Sequence, residues 1–375
     1  MGADPVRLFL CGDVMLGRGV DQILPHPGDP TLREPYLWDA LTYVESAEAV
    51  NGPIPRPVDF SWPWGETLRL LDDAAPDVRV VNLETSVTRS DDFAPNKEVH
   101  YRMAPANLPC LAAGRPDACV LANNHVLDFG RLGLEETLGT LEHAGLRAVG
   151  AGRDAGAARR PAIVPVDGGR RVLIFAFGTA SSGIPPTWAA ARDHAGLALV
   201  SETSNADAAE VADRVRRVKQ PGDIVVVSIH WGSNWGYHVS RAQIRFAHAL
   251  IDGGVDVVHG HSSHHPRPVE VYRGKLILYG CGDFIDDYEG ISGYEEYRDD
   301  LRLLYFVSVE PDTGELVGAC MAPVQARQMR LTLASHEDSQ WVREILDRTS
   351  RVFGSRIDLG PDGMLGLRRT RGERT

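Results

Sequence analysis

Five apolar segments in this chain each end in a side chain able to bind a metal ion or move a proton. Residues 6–11 lead to Asp13, and 78–83 to Glu84. Residues 117–121 lead to Asn124 and His125, and 223–229 to His230. Residues 256–258 lead to a stretch holding His259, His261, His264 and His265. Segments so rich in Val, Ile and Leu predict strands buried on both faces. Two of them are followed by a glycine-containing turn and then by helical spacing, at residues 131–143 and 241–252. Strand, polar terminus, turn, helix is the rhythm of an α/β fold, in which functional groups gather at the carboxyl ends of strands.

The densest of these termini holds four of the 13 histidines within seven positions. Together, Asp13, Glu84, Asn124, His230, His261 and His264 offer carboxylate, amide oxygen and imidazole. That mixture suits one or two divalent ions of Mn, Zn or Fe. A pair of ions about 3.5–4 Å apart would clamp a phosphoryl or carbonyl oxygen.

Composition narrows the partners. Among 375 residues the formal net charge is -12, which argues against general nucleic-acid binding, since that needs a basic surface. An anionic substrate in a metal-lined pocket stays compatible with it. Five cysteines at scattered positions do not form a disulfide framework or a zinc knuckle. No apolar run is long enough to span a bilayer, and the first residues lack the features of a secretory signal. The expectation is a soluble, cytoplasmic protein; the oligomeric state is left open.

Read in order, the motifs Gly12-Asp13, Asn82-Leu83-Glu84, Asn123-Asn124-His125-x-x-Asp128-x-Gly130, His230-Trp231-Gly232, Gly260-His261-x-x-His264 and Tyr279-Gly280-x-Gly282-Asp283-Phe284 resemble the CapA family. These are bacterial poly-γ-glutamate (capsule) synthesis proteins that look like relatives of calcineurin-like metallophosphoesterases. The resemblance covers about residues 6–324. It implies an α/β, metallophosphatase-like sandwich of two sheets flanked by helices, with a dinuclear metal centre at one sheet edge. By the same resemblance Asp13 and His264 would serve the first metal, Asn124, His230 and His261 the second, and Glu84 would bridge them. His125 would protonate the leaving group with Asp128 orienting it, and a carboxylate partner would favour the imidazolium. The alternative is that Asp128 caps the helix beginning near Gly130. Met15 stands where phosphoesterases carry a second histidine, which removes an imidazole from the first metal. His259 and His265 match no ligand position and read as support.

Substrate handling falls to Arg18, Lys97, Tyr101 and Arg102, which could hold an anionic group through charge-assisted bonds, or could be ordinary surface groups. Trp231 and its aromatic neighbours Trp235 and Tyr237 read either as pocket walls or as core. Residues 286–300 are acidic and turn-rich and read as a solvated loop. A domain over 1–335, with a cap-like loop about 20–63, is expected to carry the site, with a C-terminal helix and tail over 336–375 packed on it. The expected activity is hydrolysis of a phosphoester or a γ-glutamyl-type amide by a metal-bound hydroxide. The alternative is a role in polymer assembly or as a non-catalytic accessory.

Overall fold

The computed structural model describes residues 4–369. Its centre is a pair of sheets. In the first, the spatial order is Ser355–Leu359, Leu365–Arg369, Leu316–Ala326, Leu301–Val309, Val6–Val14, Val78–Leu83, Ala118–Val120 and Arg147–Val149. In the second it is Val269–Tyr272, Lys275–Leu278, Val257–His261, Ile224–His230, Arg170–Gly178 and Ala162–Val166.

Alternate residues of each strand face different cores, because strand side chains alternate sides. Val6, Leu8 and Leu10 share one cluster with Val172, Ile174, Val226 and Leu276 of the opposite sheet, so this cluster lies between the sheets. Phe9 and Cys11 turn the other way, against Val20, Ile23 and Leu71 of flanking helices. Leu173, Phe175 and Phe177 likewise pack on Val211, Val215, Phe246 and Leu250. The result is the expected α/β sandwich, two sheets face to face with helices outside.

The helices start where local chemistry permits. Ser240 caps Arg241–Asp252, and Gln243 returns the bond in a reciprocal box. Ser204 and Ser335 cap Asn205–Val218 and His336–Ser350. In contrast, Gly130–His143 has no side-chain cap, and Asp128 turns its carboxylate elsewhere, as described below. The expected cap-like loop holds two helices, Arg18–Ile23 and Leu41–Asn51.

The expected C-terminal helix and tail over 336–375 include strands that the sequence reading did not place. After His336–Ser350 come two strands, Ser355–Leu359 and Leu365–Arg369, which join the first sheet through Gly366 opposite Cys320. Of the expected tail, residues 370–375 lie outside the described residues.

Parallel pairing decides where the polar termini meet. Val6–Val14, Val78–Leu83 and Ala118–Val120 run parallel, as do Arg170–Gly178, Ile224–His230 and Val257–His261. Their carboxyl ends therefore lie at one edge of the sandwich. Gly12 allows a further close approach: a Cβ there would lie 1.6 Å from the Gly282 carbonyl oxygen. That lets the short strand Asp283–Ile285 run parallel beside Asp13.

Candidate metal centre

Register sets the centre. His230 lies opposite His261 in the second sheet, and Asp13 opposite Asn82 in the first. Asp13, His230 and His261 are buried, and each offers a ligand atom within 4.8 Å of the others. Around them, Asn124 Oδ1 sits 2.8 Å from His230 Nε2. Glu84 Oε1 lies 3.8 Å from the same nitrogen and 3.7 Å from His125 Nε2.

Hydrogen-bond logic fixes how the imidazoles point. The Cys11 carbonyl can only accept, so His259 Nε2, 2.8 Å away, carries the proton and Nδ1 carries a lone pair. Ser228 Oγ donates to that lone pair across 3.1 Å and accepts from His261 Nε2 across 2.9 Å. His261 Nδ1 is therefore bare. His230 donates through Nε2 to Asn124, so its Nδ1 is bare as well. The two bare nitrogens face each other at 2.7 Å. Lone pairs at that distance repel unless a cation or a proton lies against them. Burial holds the His230 and His261 pKa values well below the usual imidazole range, which disfavours the proton. The arrangement fits a divalent transition-metal ion, whose histidine ligands donate their far nitrogen to a fixed partner.

The carboxylates carry a matching strain. Burial, then the neighbouring Asp283 charge, raises Asp13 to about 7. Burial and Asp13 push Glu84 well above the usual carboxylate range. Asn82 offsets part of this with Nδ2 bonds to Asp13 at 2.7 Å and Glu84 at 3.2 Å. Asn123 in turn holds Asn82 Oδ1 at 3.1 Å and accepts from the His125 amide. Both asparagines stand in the sequence motifs beside the expected ligands.

His125 and Asp128 form the expected pair, Nδ1 to Oδ2 at 2.7 Å. The Asp128 carboxylate also accepts from the Tyr101 amide at 2.7 Å and from the Lys97 ammonium, so it does not cap the following helix. The expected imidazolium is not favoured. Burial, then the Lys97 charge 2.9 Å from Nδ1, lowers the His125 pKa well below its ordinary value. Lys97 thus adds to burial in opposing the cation that the carboxylate was to stabilise.

His264 stands apart from the Asp13–His230–His261 group. Its Nδ1 meets Asp283 Oδ1 at 2.9 Å and its Nε2 meets Asn234 at 3.0 Å. Burial opposes its charge, but Asp283 outweighs burial and the pKa is raised.

A cleft of about 460 Å³ opens over the centre, lined among others by Glu84, Lys97, Asn124, His125, His230 and His264. Three expected substrate contacts need correction. Arg18 lines the cleft, but its guanidinium is spent on Glu34, Tyr43 and Asp287. Arg102 is not in the lining and bonds Asp91 and the Ser90 carbonyl. Trp231 is buried, stacked on Tyr279 with its indole N–H on the Tyr279 carbonyl, so it belongs to the core. The wall is instead Trp235, stacked on Tyr294 at 4.0 Å, with Tyr288 and Ile291. Residues 286–300 thus form a side of the cleft as well as a solvated loop, and its aromatics were the signal available in sequence. Tyr101 lines the cleft with its hydroxyl on Tyr288 at 2.5 Å.

A family model described as "Bacterial capsule synthesis protein PGA_cap" matches residues 7–288, a span that takes in every residue of the centre. The chain belongs to this family, the CapA family. A probable polyglutamine synthesis accessory protein of Mycobacterium tuberculosis is 54% identical over 96% of both chains. The PGA biosynthesis protein CapA of Bacillus subtilis is 27% identical, covering 80% of this chain and 68% of that one. Among solved structures, TT1561 of Thermus thermophilus aligns over 83% of this chain and 97% of that one, at 10% identity and a TM-score of 0.38. As a CapA-family protein the chain falls among bacterial capsule and polyglutamate synthesis proteins. No helix among the described residues is long and apolar enough to cross a membrane.

Proposed function

We propose that this CapA-family chain is a metal-dependent hydrolase that cleaves a γ-glutamyl-type amide or a phosphoester. The observation that carries the reading is the convergence of Asp13, His230 and His261 within 4.8 Å, with two bare imidazole nitrogens turned toward each other. Asn124 holds the far nitrogen of His230 and so fixes that ring, and Glu84 lies on the same side, toward His125. When bound, a divalent ion supplies Lewis-acid polarisation of a substrate oxygen and makes water a usable nucleophile at neutral pH.

The chain's own residues do the rest. Asp128, itself bonded by Lys97, accepts from His125 Nδ1–H and holds the ring, which leaves Nε2 on the side of Glu84 and the cleft. From there the neutral His125 would take a proton at Nε2 from the water that adds to the carbonyl carbon or phosphorus, and return it to the departing amine or alkoxide. Trp235, Tyr288 and Tyr294 wall the cleft and limit bulk water. Among the described residues of the lining, the Arg and Lys cations are Arg18 and Lys97, both paired with carboxylates. Negative charge on a substrate would therefore have to be met chiefly at the metal centre.

The test is turnover of poly-γ-glutamate, γ-glutamyl peptides and generic phosphomonoesters and phosphodiesters, with Mn, Zn or Fe added. Wild type should turn over one class, and Asp13→Asn and His125→Ala should not. No turnover with any metal would overturn the reading. It would favour a non-catalytic accessory role, the reading supported by the name of the Mycobacterium relative.

A further inference from the structure

Asp283 holds a buried oxygen that nothing in the fold accounts for. Its residue is 1% exposed. Oδ1 accepts from His264 Nδ1, but Oδ2 has no hydrogen-bond partner among the described residues. Arg302, the cation beside it, is committed to Asp286 through Nε at 3.1 Å and Nη2 at 2.5 Å. A buried carboxylate oxygen left bare is costly, and native folds seldom leave one without a partner.

The backbone sets Asp283 beside Asp13 by construction. The Asp13 amide bonds the Gly282 carbonyl at 3.1 Å, and parallel register sets Asp13 beside Asp283. Register partners in a parallel pair send their side chains to the same face of the sheet. Two buried carboxylates side by side, one with a free oxygen, call for a cation between or against them.

We propose that Asp283 is itself a ligand of a divalent cation at this centre, through Oδ2, with His264 held in place by Oδ1. The proposal rests on the metal-centre reading above and adds a ligand outside the six named from sequence. Asp283→Asn isolates it. The amide oxygen can still accept from His264, while the amide nitrogen replaces Oδ2 and cannot ligate. Asp283→Ser is a second variant in case the first does not fold, and circular dichroism checks both.

The experiment titrates the full chain, stripped by chelator, with Mn²⁺ and follows free Mn²⁺ by electron paramagnetic resonance. The variants should bind about tenfold more weakly or lose one ion equivalent. Folded variants with wild-type affinity and stoichiometry would overturn the proposal and leave the metal centre standing. A wild-type chain that takes up no Mn²⁺ would overturn both.

Discussion

His261 offers a bare Nδ1 because a carbonyl at the far end of a relay cannot donate: Cys11 to His259 to Ser228 to His261. His259 therefore does more than pack. His261→Ala should abolish cation binding, and His259→Phe should weaken it by about 10–100-fold, as loss of an outer partner usually does. Isothermal titration with Mn²⁺ checks both, and an unchanged His259→Phe would contradict the relay. Lys97 supports a second prediction. Its charge, after burial, depresses the His125 pKa. Lys97→Met should raise that pKa, read from imidazole resonances in a pH titration; a fall or no change would contradict it. Asp13, His230 and His261 were legible in sequence because each ends an apolar run. Asp283 was quoted in a motif but given no role, because its lack of a partner exists only once Gly12 closes on Gly282. Arg18 and Arg102 misled because a cation in sequence does not show which carboxylate it will find.

At the scale of elements, the strands ending in candidate ligands were readable from apolar runs, and the hairpins of residues 269–278 and 301–326 from the turn residues between their strands. Residues 269–272 and 275–278 pair around Arg273-Gly274, both at positive φ, as expected of a two-residue hairpin turn. The last two strands were not readable, since Ser355–Leu359 and Leu365–Arg369 are short and rich in charge. What ties them down is Asp347 on the helix His336–Ser350. Its carboxylate accepts from the Ile357 amide at 3.0 Å and from Arg351 and Arg356. Burial opposes ionisation, but these donors outweigh it and hold the pKa below the usual range. A depressed carboxylate stabilises the fold above its unfolded pKa, and the contribution fades as pH falls through the folded value. Asp347→Asn should cost about 2 kcal/mol at pH 7, and the gap to wild type should narrow below about pH 4. Denaturant titrations across pH check it; a gap that stays constant or widens on acidification would refute the assignment.

Across the whole molecule, the centre exists because two sheets present their carboxyl ends at one edge. Asp13 comes from one sheet, and His230 and His261 come from the other. Neither sheet alone supplies the donor set. The periodicity of single strands announced an α/β sandwich, while the meeting of the two sheets depends on the core between them, which no local pattern encodes. Elemental analysis of the purified full chain beside His230→Ala tests this most directly. Wild type should hold about one to two equivalents of a divalent transition metal, with loss of at least one in the variant while the fold survives. Stoichiometric metal retained unchanged in folded His230→Ala, or none in wild type even after incubation with Mn, Zn or Fe, would contradict it.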